Sequence, residues 1–255
     1  MSLPHFYLDD QVLADEPGEV FSLRLSAGDA KHARVLRLAP GEHVAVVDAG
    51  RDYFECEVVS FDGMLPDVRI AQRLERAAAR PSVVLVQGLA KGDKMETVIR
   101  HATELGVAEF LPLSCERSVV RLDAKKGVAK AERWRAIAKS AAMQSGQPAI
   151  PEVREPMALA RACGLLADAD AVLVCWEEAP GTARIEDALE GSPPDARVAV
   201  VVGPEGGLAA REVDALLACN PRASLVTLGP SILRTETAGI VAPALVLYEL
   251  RRAAR

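Results

Sequence analysis

No stretch of this sequence approaches the roughly 18–20 consecutive apolar residues that a membrane helix needs, so a bilayer-spanning protein is not expected. The segment from Met1 to Asp10 carries neither a basic n-region nor an apolar h-region, so no secretory signal is expected and the chain reads as cytoplasmic. Five cysteines (Cys56, Cys115, Cys163, Cys175, Cys219) are scattered without a CxxC pair, which speaks for reduced core thiols and against a zinc site or a disulfide scaffold. Four histidines (His5, His32, His43, His101) have no mutual spacing suited to a metal, and no metal is expected. Neither GxGxxG nor GxxxxGK[ST] occurs, which counts against a Rossmann or P-loop enzyme. Aromatic residues make up only 4%, yet half of the 255 residues are hydrophobic, enough for one large core or two ordinary ones.

What is present falls into two parts. Residues 1–75 hold short runs that alternate apolar and polar positions between Gly and Pro turns: His5 to Leu8, Val20 to Leu25, His43 to Asp48, Tyr53 to Val59 and Asp67 to Ile70. That pattern predicts a small β-barrel with one helical insert, Asp29 to Leu38. The charged, alanine-rich stretch 73–81 reads as a linker. Residues 76–255 then alternate strands and helices. Val83 to Val86 is a continuous apolar run, as a strand buried on both faces requires. Met95, Val98, Ile99, Ala102 and Leu105 keep helical spacing, and Gly106 closes that helix at C′. Further strands are expected at Phe110 to Leu113, Ala171 to Trp176, Val198 to Val202 and Leu225 to Leu228. Helices are expected at Lys130 to Gln144, Ile185 to Leu189, Ala209 to Ala218 and Thr235 to Arg251. Such alternation implies an α/β domain with a mostly parallel sheet.

A formal net charge of −6 suits RNA poorly, but the distribution matters more than the sum. Between Arg117 and Lys139 eight positives face only Asp123 and Glu132, and Arg24, Lys31, Arg34 and Arg37 form a second basic stretch against Asp29. Either alone is a solvated face; together they outline a footprint for phosphates.

The most informative residues lie near the end. Val200-Val-Val-Gly203-Pro204-Glu205-Gly206-Gly207-Leu208 and Leu228-Gly229-Pro230-Ser231-Ile232-Leu233-Arg234-Thr235-Glu236-Thr237-Ala238 each put a Gly/Pro turn between a β-branched run and a helical pattern. Glycine lets backbone approach a ligand, and α/β proteins bind ligands beyond the carboxyl ends of their strands. The pair resembles the cofactor loops of the SPOUT RNA methyltransferases, in particular the family that methylates N3 of a uridine in small-subunit (16S) ribosomal RNA. Lys91-Gly-Asp-Lys-Met-Glu, Glu104-Leu-Gly and Glu116-Arg-Ser resemble the same family, and His32 to Glu42 resembles its PUA-like N-terminal domain.

The resemblance implies a PUA-like RNA-binding β-barrel at 1–75 and a SPOUT α/β domain with a trefoil knot at 76–255. It further implies S-adenosylmethionine as cofactor, 16S ribosomal RNA or the small ribosomal subunit as partner, and a homodimer. By the same resemblance Cys175, Gly203, Glu205, Gly207, Leu228, Gly229, Ile232 and Leu233 are expected to bind the cofactor. Lys91, Lys94, Arg117 and Arg121, with Arg34 and Arg37, are expected to meet RNA phosphates.

Uridine N3 is not nucleophilic until its proton leaves, and transfer is then a positioning problem. Arg234, in the cofactor loop, is the expected stabiliser of the developing uracil anion. Glu236 is a catalytic candidate too, but it equally suits a helix N-terminus, and the general base stays unassigned. Four positions depart from the family pattern: His5, Met143 and Gln147, and Ser231 in place of an arginine. The replaced charges are expected to face RNA or the target base. They keep open a non-catalytic RNA-binding assembly factor as the alternative.

Overall fold

The structure is a computed structural model and describes residues 3–74, 81–179 and 181–253. The expected linker falls largely outside those residues. The chain divides into two compact units, residues 1–78 with 142–149, and residues 79–141 with 150–255.

The first unit is built on β1 (His5–Tyr7), β2 (Phe21–Ser22), α1 (Ala27–Val35), β3 (His43–Val47), β4 (Tyr53–Asp62) and β5 (Leu65–Leu74). Its sheet runs β1-β3-β4-β5-β2, with β1 parallel to β3 and the other pairs antiparallel. Sequence periodicity predicts a barrel; the strand pairing among the described residues is that of a five-stranded mixed sheet with β1 and β2 at the two ends of its order. Period-two alternation specifies a half-buried strand but does not say how the edges end. Along β4 the pleat is visible in burial: Phe54, Cys56 and Val58 point into a core with Phe6, Val44, Val46 and Val68. Ser26 caps α1 by accepting from the Asp29 N–H at 3.1 Å. Beyond the helix Arg37 takes φ +55°, a left-handed position that glycine usually fills.

Two of the departures from the family pattern lie in this interior. His5 is buried, with its Nε2 2.6 Å from the Tyr53 hydroxyl and its Nδ1 2.7 Å from the Leu3 carbonyl, and burial lowers its pKa. Met143 packs in the same core as Phe6 and Val44, and the carbonyl of Gln147 accepts from the Tyr7 hydroxyl. The expectation that these positions face RNA is therefore corrected for His5 and Met143.

The second unit carries β6 (Ser82–Gly88), α2 (Lys94–Leu105), β7 (Glu109–Ser114), most of α3 (Ala124–Ser145), β8 (Glu152–Val153) and β9 (Met157–Ala158). Then follow α4 (Leu159–Leu166), β10 (Ala171–Cys175), α5 (Ile185–Ala188), β11 (Arg197–Val202), α6 (Ala210–Ala218), β12 (Ala223–Val226) and α7 (Thr235–Ala253). The sheet order is β12-β10-β11-β6-β7-β8, with β9 also on β7, and every pairing is parallel. Alternate residues of each central strand feed two cores. Val83, Leu85, Leu173, Val198 and Val200 face α2 and α7, while Val84, Val86, Val172, Val174, Ala199 and Val201 face α4 and α6. That two-sided burial is why β6 reads as unbroken VVLV instead of alternating. Gly106, at φ +103°, ends α2 by donating its N–H to Ala102 and Thr103 carbonyls. Short β8 and β9 and the helix α4 carry no periodicity long enough to be read from sequence.

Candidate functional site

Three loops leave the carboxyl ends of β10, β11 and β12, which lie side by side, and enclose a cavity of about 490 Å³. That is within the usual size of a small-ligand site. Its buried apolar side chains include Val202, Val226 and Ala238; its exposed lining includes Glu177, Ser231, Ile232 and Arg234. Cys175, Gly203, Glu205, Gly207, Leu228, Gly229, Ile232 and Leu233, all named from sequence, line this one cavity. Burial pushes the Cys175 thiol up to about 12, so it presents a neutral, apolar wall.

The first loop, 203–207, is tightly braced. A Cβ on Gly203 would sit 3.1 Å from the Gly207 carbonyl carbon and the Leu208 nitrogen, and one on Gly206 only 2.8 Å from the Arg117 carbonyl oxygen. At Gly207 (φ +70°) a Cβ would stand 2.3 Å from Glu177 Oε1, so the carboxylate lies in the space that glycine leaves. Neither Gly203 nor Gly206 is bare toward a ligand: each is bare toward neighbouring protein. Thr235 donates to the Gly203 carbonyl at 2.6 Å and accepts from the buried Gln87 amide at 2.9 Å, joining this loop to the start of α7 and the end of β6. Gln87 in turn approaches α7 where Gly239 leaves room, since a Cβ there would meet Gln87 Oε1 at 2.3 Å.

The last loop, 227–234, is looser. The Thr227 hydroxyl accepts the Gly229 N–H at 3.1 Å, and a Cβ on Gly229 would meet nothing within 4 Å, although its φ of +117° excludes ordinary side chains. Ile232 is 84% exposed. Arg234 is exposed on the cavity lining, and its guanidinium has no hydrogen bond or ion pair among the described residues.

Charges around the first loop are committed to each other. Lys94 Nζ lies 3.2 Å from Glu205 Oε1 and 3.0 Å from Glu236 Oε2. Its pKa is raised, chiefly by Glu236 and then by Glu205 against partial desolvation. The Glu236 carboxyl is held below its usual range first by its own backbone N–H at the start of α7 and then by Lys94. For Glu205 burial alone would raise the pKa; its own backbone N–H, the Lys91 N–H at 3.1 Å and Lys94 outweigh that and lower it. Glu236 does not line the cavity and lies in the first turn of α7.

The phosphate candidates divide similarly. Lys94 is engaged with Glu205 and Glu236. Arg121 donates to the Cys115 and Glu116 carbonyls at 3.0 and 2.6 Å, so its guanidinium is occupied in shaping the loop after β7. Arg117 pairs with Glu178 at 2.9 Å. Lys91, Arg34 and Arg37 extend exposed side chains without a hydrogen bond or ion pair among the described residues.

Sequence reading missed Glu177, Thr182 and Thr227, which line the cavity, and Gln87, Thr235 and Glu212, which hold its loops. Buried Glu212 accepts the Glu116 N–H at 2.8 Å and the Ala209 N–H at 2.9 Å, fastening the loop after β7 to the start of α6. Glu177, two residues beyond β10, had a legible signal: an acid at the end of a strand neighbouring the Gly-rich one.

A parallel α/β sheet with a mixed polar and apolar cavity at its strand ends, walled by a GPEGG loop, defines a small-ligand binding site. A family model for RNA methyltransferase domains matches residues 78–247. The ribosomal RNA small subunit methyltransferase E of Bacillus subtilis is 34% identical, over 92% of this chain and 92% of its own length. That of Mycobacterium bovis is 38% identical, over 82% and 79%. A methyltransferase of Legionella pneumophila, solved in complex with its bound cofactor SAM, superposes with a TM-score of 0.78 at 30% identity, covering 99% of this chain and 98% of its own. This chain belongs to the ribosomal RNA small subunit methyltransferase E family.

Proposed function

We propose that this chain uses S-adenosylmethionine to methylate N3 of one uridine in small-subunit (16S) ribosomal RNA in the cytoplasm. The observation that carries the reading is the strand-end cavity with Arg234 exposed on its lining, in a chain of this family. The cavity's chemistry fits the cofactor. Buried Val202, Val226 and Ala238 suit a flat heterocycle, while Glu177, Thr182, Thr227 and loop backbone suit ribose hydroxyls and an amino-acid tail. S-adenosylmethionine supplies a methyl group made electrophilic by its sulfonium. Gly203, Glu205, Gly207, Leu228, Gly229, Ile232, Leu233 and Cys175 are the residues that would hold it.

The chain's own residues then do three things. The first loop, braced through Thr235 and Gln87, fixes one wall of the site, so that little ordering remains when ligand enters. Arg234 supplies donors to the uracil carbonyl oxygens and neutralises the charge that develops as the N3 proton passes to solvent water. Glu205 and Glu236, both held below the ordinary carboxylate range, keep the loops in place and do not take that proton. In the first unit, Arg34 and Arg37 approach phosphates, in keeping with a PUA-like RNA-binding role at 1–75, and Lys91 and Arg117 do so in the second. A trefoil knot through the C-terminal loops and a homodimer complete the reading.

The test is methyl transfer from labelled S-adenosylmethionine to 16S RNA or small subunits from a strain lacking the enzyme, with the product mapped to the nucleotide. One N3-methyluridine is the expected result. Transfer to another base or atom overturns the assignment. RNA binding without transfer to either substrate leaves a non-catalytic assembly factor.

A further inference from the structure

Lys94 begins α2, remote in sequence from both cofactor loops, yet its ammonium reaches one carboxylate from each. Glu205 belongs to the loop after β11 and Glu236 to the first turn of α7, and Lys94 Nζ stands 3.2 and 3.0 Å from them. The three side chains are 22%, 20% and 28% exposed, so the ammonium and both carboxylates are partly shielded from solvent. Glu205 is held a second time by the Lys91 N–H at 3.1 Å, at the entrance to the same helix. A separate bridge, Gln87 to Thr235 to the Gly203 carbonyl, ties the same two segments at a buried point. The two carboxylates have one ammonium as common neighbour, so removing the cation leaves two like charges on the two segments without a counter-ion between them.

We propose that Lys94 is a positioning residue: its ammonium clamps Glu205 to Glu236 and so fixes the width of the cofactor cavity, and it is not a contact to RNA phosphate. The inference rests on the reading of the cavity as the S-adenosylmethionine site. It makes the KGDK segment part of the cofactor machinery at one remove: Lys91 through its backbone N–H, Lys94 through its charge.

The test compares wild type with Lys94→Met, Lys94→Arg and the double variant Lys94→Met/Glu236→Gln, each first checked for native circular dichroism. Calorimetry with S-adenosylmethionine should show Lys94→Met weakened about tenfold, between the small effect of an exposed pair and the large one of a buried pair. Lys94→Arg, which also spans two carboxylates, should recover most of the affinity, and so should the double variant, which removes the repulsion. In ligand-free protein, hydrogen exchange at residues 203–207 and 235–238 should quicken in Lys94→Met alone. The salt slope of RNA binding should be the same in all four. A slope lowered by about 0.7–0.9 in Lys94→Met, with cofactor affinity and exchange unchanged, makes Lys94 a phosphate ligand and overturns the proposal. Weakening that the double variant does not relieve also overturns it, since the repulsion is then not the cause. If wild type binds no S-adenosylmethionine, the reading of the cavity falls, while the exchange rates in ligand-free protein still decide whether the clamp exists.

Discussion

The two loops that wall the cavity are built on opposite principles. The glycines of the loop at 203–207 are packed against protein: Gly203 against its own return, Gly206 against the loop after β7, Gly207 against Glu177. The loop at 227–234 has open space at Gly229, an 84% exposed Ile232 and an Arg234 with no ion pair among the described residues. One wall is set before any ligand arrives; the other is free to adapt. A site that must hold a small cofactor and admit a nucleotide of a large RNA needs both, because a fixed wall lowers the ordering cost of the first ligand and a loose one admits the second.

The largest expected effect lies on the loose side. Arg234→Ala should lower the single-turnover methylation rate by roughly 100-fold or more at saturating cofactor and RNA, while cofactor affinity by calorimetry changes far less. Arg234→Lys should rescue only in part, since an ammonium does not reproduce a planar, two-pronged contact. An alanine variant that turns over at the wild-type rate would make both loops structural and erase the contrast.

Glycine substitutions sharpen the comparison. Gly206→Ala drives a Cβ to 2.8 Å from the Arg117 carbonyl oxygen, so backbone must move, and about 1–3 kcal/mol of stability should be lost in denaturant unfolding. Gly229→Ala meets no atom, so its cost is the backbone strain of φ +117° without displacement of neighbours, and it should lose less stability than Gly206→Ala while weakening cofactor binding. Equal losses of stability at both positions would show the two walls to be equally rigid.

The acids of the braced wall predict a pH dependence. Glu205 and Glu236 both titrate below their ordinary 4.5, so the folded form takes up protons less readily than the unfolded chain. Their stabilisation is present above that value and is lost as pH falls through the lower folded pKa values; Lys94, raised above 10.5, keeps its charge throughout. Melting temperature should therefore drop below about pH 4.5, and Glu205→Gln/Glu236→Gln should flatten that limb. A limb of unchanged depth in the double variant would assign the acid sensitivity elsewhere.

The smallest effect concerns RNA. Arg34→Gln/Arg37→Gln should lower the slope of log affinity against log salt by about 0.7–0.9 for each phosphate left without its cation. Arg121→Gln, which removes a brace on two carbonyls and no free charge, should leave that slope alone. The reverse pattern would exchange their roles.

The α/β alternation and the ligand loops were legible because Val83 to Val86, Val198 to Val202 and the two Gly/Pro segments are contiguous and carry local rules of burial and turn formation. The Lys94 bridge was not, since Lys94 is separated from both of its partners by more than a hundred residues and each member taken alone reads as a surface charge. Nor was the burial of His5 and Met143. A charge missing from a motif announces that some partner has gone, but only packing tells whether that partner was solvent, RNA or the protein itself.

β6 has further consequences as the strand between β11 and β7, because successive residues supply two separate cores. Loss or gain of a single codon within Val83 to Val86 would exchange the two sets at a stroke, sending side chains chosen for α2 and α7 toward α4 and α6. Substitutions in this strand can be absorbed one at a time, whereas a length change cannot. The gene's tolerance of insertions and deletions should thus be confined to connections such as 189–196, and the strand lengths of the sheet should outlast most of the letters that spell them.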